Sequence, residues 1–287
     1  MRSFRAEVAE VEGVMKIRDY LKIRLAFSNS IIGKVKYDGV LLNGTPVHMR
    51  AVVKNGDIIE VLFPEENGSD IPPIDIPLDI LYEDEYILVV NKPSNMPVHP
   101  SKGNSLPTLA NAVAAYSSRP FVYRVITRLD RDTSGIVLIA KDRLTAARLS
   151  SAMKKREIKK YYHALVVGTP DEDSGVIDAP IERAQEGELK RIVISSGKGS
   201  ITKYKLIKKY GELSLLECQP ITGRTHQIRV HLAYIGCPLY ADFLYGDKVP
   251  EKTYLLHCSR LELIHPYTKK ALVITSDLSE EKILEQI

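Results

Sequence analysis

The sequence predicts an α+β protein made of two domains joined by a linker. The chain has 287 residues, which is about the length of two ordinary domains. Apolar stretches of strand length occur along it together with stretches in which apolar residues recur at helical spacing. Residues 64–79 read PEENGSDIPPIDIPLD, an acidic and proline-rich segment typical of a linker. We therefore expect one small domain in residues 1–63 and a larger one in residues 80–287.

The composition is that of an ordinary globular protein, with 44% hydrophobic and 26% charged residues. No apolar run approaches the roughly 20 residues that span a bilayer, and the charged start lacks the core of a secretory signal. We expect a cytoplasmic protein that does not enter a membrane. Three widely spaced cysteines, Cys218, Cys237 and Cys258, form no CxxC pair, so reduced, packed thiols are expected rather than zinc ligands.

The small domain carries a concentration of basic residues. Apolar positions in residues 16–36 have the spacing of two short amphipathic helices, and Ser28 or Ser30 can cap the second. Two short strands are predicted at residues 40–42 and 58–61, next to turns marked by Asn-Gly. A solvated basic face is the ordinary interpretation of such a charge run. The basic residues are Lys16, Arg18, Lys22, Arg24, Lys34 and Lys36.

In the larger domain, the turn at residues 128–135, RLDRDTSG, concentrates the reactive side chains. It contains two carboxylates, Asp130 and Asp132, and ends in Thr-Ser-Gly, a turn-forming set. The apolar run at residues 136–140 then has the length of a buried strand. A carboxylate in a tight turn before such a strand is held rigidly and stays reachable, as a nucleophile or base must be.

A second string, PITGRTHQIRVH at residues 220–231, predicts a helix. Thr225 can cap it, and Gly236 can end it after Ile235. Arg229 lies beside the apolar stripe of this helix, so its guanidinium can reach inward. The two histidines of the string have no partner carboxylate, and we expect them to make hydrogen bonds rather than to bind a metal.

These strings resemble the signature motifs of the RluA-type pseudouridine synthases, which isomerise uridine in RNA. The resemblance rests on RLDRDTSG followed by IVLIAK, on K-x-Y-x-A at residues 160–164, and on GRTHQIRVH. The order helix-helix-strand-strand over residues 14–63 resembles the S4 RNA-binding domain. The resemblance implies a mixed, mainly antiparallel sheet with flanking helices, preceded by a small S4 domain.

The resemblance also implies roles for particular residues. Asp130 is the essential carboxylate, Arg229 is its ionic partner, and Tyr162 is the ring on which the target base stacks. The implied substrate contacts are Arg128, Leu129, Thr133, Lys160, Arg224, His226, Gln227 and Leu256. Next to this signature, the basic residues of the small domain are expected to bind RNA phosphates without reading sequence.

The chain departs from the family pattern at several positions. Thr127 stands where His or Asn is common, Cys258 where Ala is common, and Ala241 where Gly commonly precedes the Asp of the G-D-x-L-Y-G string. In the S4-like region, Asn29 replaces an Arg, which removes one expected phosphate contact.

Pseudouridine formation breaks the N1–C1′ bond, turns the uracil and rejoins it through C5, so that no atom is gained or lost. We therefore expect no redox cofactor and no metal. Charge builds on the sugar as in other glycosyl transfers, which calls for a carboxylate near C1′. Three roles are open to Asp130: addition to C1′, addition to the base, and removal of a sugar proton.

Two other functions are compatible with the residues. One is a metal-dependent phosphodiesterase using Asp130 and Asp132, although the flanking arginines oppose cation binding. The other is an RNA-binding protein with a vestigial site. By analogy with the S4-plus-synthase arrangement, we expect the partner to be ribosomal RNA of the large subunit. We also expect the protein to act as a monomer.

Overall fold

The computed structural model describes residues 2–25, 27–37, 39–63, 68, 70–100, 107–117, 121–250 and 252–285. Its N-terminal part contains short strands and two helices. They are β1 (Arg2–Glu7), β2 (Met15–Lys16), α1 (Ile17–Ile23), α2 (Asn29–Val35), β3 (Val40–Leu42), β4 (Thr45–Pro46), β5 (Val52–Val53) and β6 (Ile58–Phe63). One antiparallel sheet has the order β1-β6-β3-β4, and β2 pairs with β5.

The larger part contains the remaining elements. They are β7 (Asp79–Glu83), β8 (Ile87–Lys92), α3 (Leu109–Tyr116), β9 (Ser134–Ala140), α4 (Arg143–Lys154), β10 (Lys159–Val167), β11 (Ser174–Asp178), β12 (Ile181–Arg183), β13 (Arg191–Val193), β14 (Ile201–Tyr210), β15 (Leu213–Pro220), α5 (Gln227–Tyr234), β16 (Leu256–Ile264), β17 (Ala271–Thr275) and α6 (Glu280–Leu284). None of the described helices is long and apolar enough to cross a membrane.

A nine-stranded sheet organises this larger part. Its order is β11-β14-β15-β10-β16-β9-β8-β7, and β17 adds to β16. The pair β16–β9 is parallel, and every other pairing among the described strands of this sheet is antiparallel. The predicted mixed, mainly antiparallel sheet is therefore confirmed.

The small N-terminal core is shared with helix α4. Leu144 of α4 is 2% exposed and belongs to the same hydrophobic cluster as Leu21, Phe27 and Ile59. The guanidinium of Arg148, one turn further along α4, lies 5.4 Å from the ring centroid of Phe4. The two parts of the chain are thus packed against each other, and residues 1–63 cannot be removed without exposing an apolar face of α4.

The predicted linker at residues 64–79 is only partly described, since residues 64–67 and 69 lie outside the described residues. Residues 70–78 contain no helix or strand. This stretch is tied to α3, because Asn111 Nδ2 donates to Pro72 O at 2.8 Å and Ile74 N donates to Asn111 O at 3.2 Å. The assignment of residues 1–63 and 80–287 as separate domains stays a prediction.

Most predicted elements are present, although their ends move by a few residues. Ser28 caps α2 by accepting a hydrogen bond from Ile31 N at 3.2 Å, and Thr108 caps α3. The strands that were not predicted include β1, whose sequence alternates charged and apolar residues, and the hairpin β12–β13, in a charge-rich stretch that is typical of a loop. The alternation in β1 extends over only a few residues, and both β1 and the hairpin depend on pairing with another strand, so local periodicity alone does not reveal them.

The parallel contact between β9 and β16 brings two backbones together beside the Asp130 turn. Gly135 of β9 is opposite Cys258 of β16 and has a φ of +104°. A Cβ at residue 135 would lie 2.4 Å from the carbonyl oxygen of Cys258. Only glycine fits this position, for reasons of both backbone conformation and space.

We expect Gly135→Ala to destabilise the fold by roughly 2–4 kcal/mol, because it adds overpacking to an unfavourable φ. Urea unfolding followed by circular dichroism measures the change. Gly187→Ala is the matched control: its φ is +89°, but a Cβ there meets nothing within 4 Å. Equal destabilisation of the two variants would show that the close approach to Cys258 contributes nothing.

Candidate active site

A cavity of about 830 Å³ opens where the Asp130 turn, β10 and the start of α5 meet. Its volume is in the usual range for a small-ligand site. Every residue predicted to act in catalysis or substrate binding lines it: Arg128, Leu129, Asp130, Thr133, Lys160, Tyr162, Arg224, His226, Gln227, Arg229 and Leu256. The structure therefore brings together side chains that are up to 128 positions apart, from Arg128 to Leu256. Their individual roles stay predictions.

The turn that carries Asp130 is held by hydrogen bonds from the end of β8 and the residues that follow it. Lys92 Nζ donates to Arg131 O at 3.0 Å, Met96 N donates to the same oxygen at 3.1 Å, and Ser94 Oγ donates to Asp132 O at 2.8 Å. Burial lowers the pKa of Lys92 to about 7, although the nearby carboxylates oppose the shift. The backbone is fixed, yet the Asp130 side chain remains 31% exposed.

The second carboxylate of the turn has a different environment. Both oxygens of Asp132 accept hydrogen bonds from Arg131, at 2.7 Å from Nε and 2.9 Å from Nη2. Asp132 is buried and does not line the cavity. In the described part of the chain, no group of three His, Cys, Asp or Glu side chains is placed to hold a metal ion. The two-carboxylate phosphodiesterase site is therefore not assembled.

Arg229 faces Asp130, but its closest partner is a different carboxylate. Its Nη1 lies 3.6 Å from Asp130 Oδ2, whereas Nε and Nη2 each donate to Asp242 at 2.7 Å. Arg229 is 4% exposed and Asp242 is 0% exposed. Burial alone would lower the pKa of Arg229, but the hydrogen bonds to Asp242 and the negative charges of Asp242 and Asp130 raise it overall. The expected pairing of Arg229 with Asp130 is present as this longer contact, and the structure adds Asp242 as the partner that accepts the short hydrogen bonds.

The start of α5 differs from the prediction. His226, rather than Thr225, occupies the N-cap position, with a φ of +57° and no side-chain capping bond. This left-handed residue turns the ring toward the cavity, where Nε2 lies 3.8 Å from Asp130 Oδ2 and Nδ1 is 2.8 Å from the hydroxyl of Tyr245. Burial lowers the pKa of His226, although the charge of Asp130 opposes the shift. His226 is therefore neutral at pH 7. The helix ends as predicted, with Ile235 at its C-cap.

Gln227 lines the cavity, but its amide is fully engaged within the protein. Oε1 accepts from Thr222 Oγ1 at 2.7 Å and from Arg224 N at 3.0 Å, while Nε2 donates to Ile201 O at 2.9 Å and to Thr202 Oγ1 at 3.0 Å. No free donor or acceptor is left for substrate. The implied substrate contact is thus replaced by a structural one that fixes residues 222–224.

Tyr162 forms a wall of the cavity from strand β10. The register with β16 shifts between Tyr161 and Tyr162, and such bulges redirect side chains beside functional sites. Burial raises the pKa of Tyr162 well above its ordinary value, and the adjacent Cys258 adds to the shift, so the ring stays neutral. Two positions along the strand, burial lowers the pKa of Lys160, which also lines the cavity.

Three functional neighbours were not predicted. Asp242 holds Arg229, and the rings of Tyr245 and Tyr254 lie 5.0 and 4.4 Å from its guanidinium carbon. The sequence offers one signal for Asp242 and Tyr245, the string A-D-F-L-Y-G at residues 241–246.

The departure from the family pattern at Thr127 is accommodated by the fold, because Thr127 Oγ1 accepts a hydrogen bond from Leu138 N at 2.8 Å.

The second histidine of the α5 string behaves as expected. His231 is buried and makes hydrogen bonds to Thr202 Oγ1 and to Ala179 O, each at 2.9 Å. Both ring nitrogens are therefore engaged within the protein.

We expect the protein to lose stability as pH falls below about 6.5, the ordinary pKa of histidine. Burial lowers the pKa of His99, His163, His226, His231 and His257. The unfolded chain therefore binds protons first as pH falls, and the slope is about 1.4 kcal/mol per pH unit for each proton. The free energy of unfolding in urea between pH 7.5 and 5.5 measures it.

In this experiment His231→Gln should flatten the slope, whereas His48→Gln, at an exposed histidine, should leave it unchanged. Stability that is independent of pH between 7.5 and 5.5 would contradict the effect of burial on these histidines.

Comparison with known proteins identifies the family of this chain. Residues 86–234 match the RNA pseudouridylate synthase family. The chain is 36% identical over 274 residues to the uncharacterized RNA pseudouridine synthase YjbO of Bacillus subtilis, covering 93% of this chain and 96% of that protein. It is 36% identical over 266 residues to ribosomal large subunit pseudouridine synthase D of Xylella fastidiosa, covering 86% and 80%.

Among solved structures, human RNA pseudouridylate synthase domain containing 4 is similar, with a TM-score of 0.58 and 25% identity over 71% of this chain and 90% of that one. The similarity in sequence and the similarity in fold point to the same family, and they confirm the resemblance drawn from the motifs. This chain belongs to the RNA pseudouridylate synthase family.

Proposed function

We propose that this RNA pseudouridine synthase modifies large-subunit ribosomal RNA and that Asp130 is its catalytic carboxylate. The observation that carries the assignment of the site is that Asp130, Tyr162 and Arg229 line one cavity. The ribosomal substrate is supported by the relative from Xylella fastidiosa, whose name is ribosomal large subunit pseudouridine synthase D.

The reaction needs two things from the protein: a negatively charged group near the sugar and side chains that orient the base. The N1–C1′ bond of uridine breaks, the uracil turns, and a C5–C1′ bond forms. C5 loses its proton, and N1 gains one in its place. In total no atom enters or leaves the nucleoside except in exchange with solvent. Positive charge builds on the sugar as the first bond breaks, and a carboxylate next to C1′ stabilises it. Asp130 suits this task because it is a carboxylate that lines the cavity and is backed by a rigid turn.

Tyr162 would support the base during the turn. A uridine inside an RNA helix must leave its stack before a side chain can reach C1′. A neutral aromatic ring replaces part of that stacking, which is worth roughly 1–3 kcal/mol per base. Tyr162 fits this role because it is held between β15 and β16 and stays protonated.

Charged residues at the cavity mouth would hold the RNA backbone. Arg128 and Arg224 are exposed and line the cavity. The guanidinium of Arg224 is anchored by hydrogen bonds to Gly199 O at 3.3 and 3.4 Å, which leaves Nη1 open to a phosphate. Such contacts position RNA without selecting its sequence.

We further propose that residues 1–63 act as an S4-like RNA-binding domain. The basic residues proposed for phosphate binding all lie on the surface: Lys16, Arg18, Lys22, Arg24, Lys34 and Lys36. Arg24 differs from the rest, because Nη2 donates to Glu10 O at 2.9 Å and the guanidinium also pairs with the Glu10 carboxylate. We therefore assign it a smaller share of phosphate binding than the lysines.

Asp130→Asn should abolish pseudouridine formation, because the amide keeps the shape of the side chain but carries no charge. Release of tritium from RNA containing 5-tritiated uridine measures turnover. Asp171→Asn, the same substitution at an exposed site, is the control and should retain full activity. Wild-type turnover by the Asp130 variant would refute the catalytic assignment.

The triple variant Lys16→Gln, Lys22→Gln, Lys34→Gln should bind RNA more weakly and with a flatter salt dependence. The slope of log Kd against log salt should fall by about 0.7 for each phosphate of single-stranded RNA that the variant no longer neutralises. Filter binding at several salt concentrations measures it. The point substitutions are preferable to a deletion of the domain, because Leu144 is buried in its core.

A control variant, Lys208→Gln, Lys269→Gln, Lys270→Gln, removes the same charge from exposed sites elsewhere. If both triple variants flatten the slope equally, the N-terminal residues have no special part in binding.

A further inference from the structure

We infer that Asp242 is a positioning residue, which sets the orientation of Arg229 toward the catalytic carboxylate. The geometry points to this role. Asp242 engages one edge of the guanidinium through Nε and Nη2, each at 2.7 Å, and so leaves Nη1 as the nitrogen that faces Asp130 at 3.6 Å. This inference rests on the proposed function of Asp130.

The guanidinium is restrained by one carboxylate and two aromatic rings. Two parallel hydrogen bonds to one carboxylate prevent rotation about the end of the side chain. The rings of Tyr245 and Tyr254 lie 5.0 and 4.4 Å from its central carbon, within the distance of cation–π contacts. Arg229 therefore cannot move to form two bonds with Asp130, and the Asp130 carboxylate keeps a long, single-nitrogen contact.

A loose contact has a chemical advantage for a reacting carboxylate. A bidentate pair between Asp130 and Arg229 would occupy both carboxylate oxygens and lower their availability to the sugar or base. Because Asp242 accepts the two short hydrogen bonds, Arg229 places its positive charge near Asp130 and leaves the carboxylate oxygens of Asp130 available to substrate. Asp242 thus influences the reaction through Arg229 and touches no reacting atom.

The turn that carries Asp242 positions the two polar side chains that face Asp130, those of Arg229 and His226. Its backbone is closed by Gly246 N donating to Asp242 O at 2.8 Å. The same turn presents Tyr245, whose hydroxyl is 2.8 Å from His226 Nδ1. Ala241 adopts a φ of +61° here, a conformation that is costly for a residue other than glycine. Ala241 therefore holds an unfavourable conformation directly before Asp242, the carboxylate that accepts both short hydrogen bonds from Arg229.

The test substitutes Asp242 by Asn and by Glu and measures tritium release at several RNA concentrations. We expect Asp242→Asn to lower kcat by about 10–100-fold, the range seen when a supporting hydrogen-bond partner is removed, and to leave KM within about twofold. Asp242→Glu keeps the charge and should recover part of the activity. Asp84→Asn is the control, since Asp84 is a hydrogen-bonded carboxylate that pairs with His265 and does not line the cavity.

A lower melting temperature in both the Asp242→Asn and Asp84→Asn variants, with kcat reduced only in the former, would support positioning. Full kcat in Asp242→Asn, when Asp130→Asn is inactive, would overturn the inference and leave the proposed function intact. Activity in Asp130→Asn would instead overturn the proposed function.

A second measurement needs no folded Asp242 variant. Hydrogen exchange of the Arg229 Nε–H, observed by NMR in the wild-type protein and in Asp130→Asn, reports the partner of that nitrogen directly. We expect equally slow exchange in both, because the bond is to Asp242. Fast exchange in wild type, or exchange accelerated by Asp130→Asn, would overturn the inference.

Discussion

The site depends on one interaction, the buried ion pair between the Arg229 guanidinium and the Asp242 carboxylate. A charge that is 4% exposed persists only where opposite charge and hydrogen bonds compensate for the missing water. Asp242 supplies most of that compensation, and the faces of two tyrosines add to it. Asp130 faces the part of the guanidinium that remains. The cavity is thus built around a cation whose position is fixed before any substrate enters.

Burial divides the carboxylates of the site by role. Asp242 and Asp132 are buried, and each is bound through both oxygens by an arginine, so neither can take part in chemistry without breaking a strong pair. Asp130 is 31% exposed, and its contacts to the side chains of Arg229 and His226 are longer, at 3.6 and 3.8 Å. Of these three carboxylates, Asp130 is the one that lines the cavity and so has room for a substrate.

The sheet explains why the reactive turn lies where it does. Strand β9 runs antiparallel to β8 and parallel to β16, so the turn before β9 enters the sheet beside the start of β16, where Leu256 lines the cavity. Gly135 allows the two backbones to approach at this point. Helix α4 follows β9, and its Leu144 packs in the N-terminal core. The proposed RNA-binding region is therefore in contact with the helix that directly follows the strand after the Asp130 turn.

The sequence alone determined the class of fold, the approximate positions of the elements that it predicted, and the three motif strings, because periodicity, caps and turn residues act over a few neighbouring positions. The family resemblance also predicted that Asp130, Tyr162 and Arg229 belong to one site, and the three side chains line one cavity. Only the tertiary structure decided that Arg229 bonds to Asp242, that the amide of Gln227 is fully engaged, and that Leu144 belongs to the N-terminal core. Those outcomes depend on which distant groups meet in a buried space, where desolvation selects the partner of each charge, and no local pattern encodes that choice.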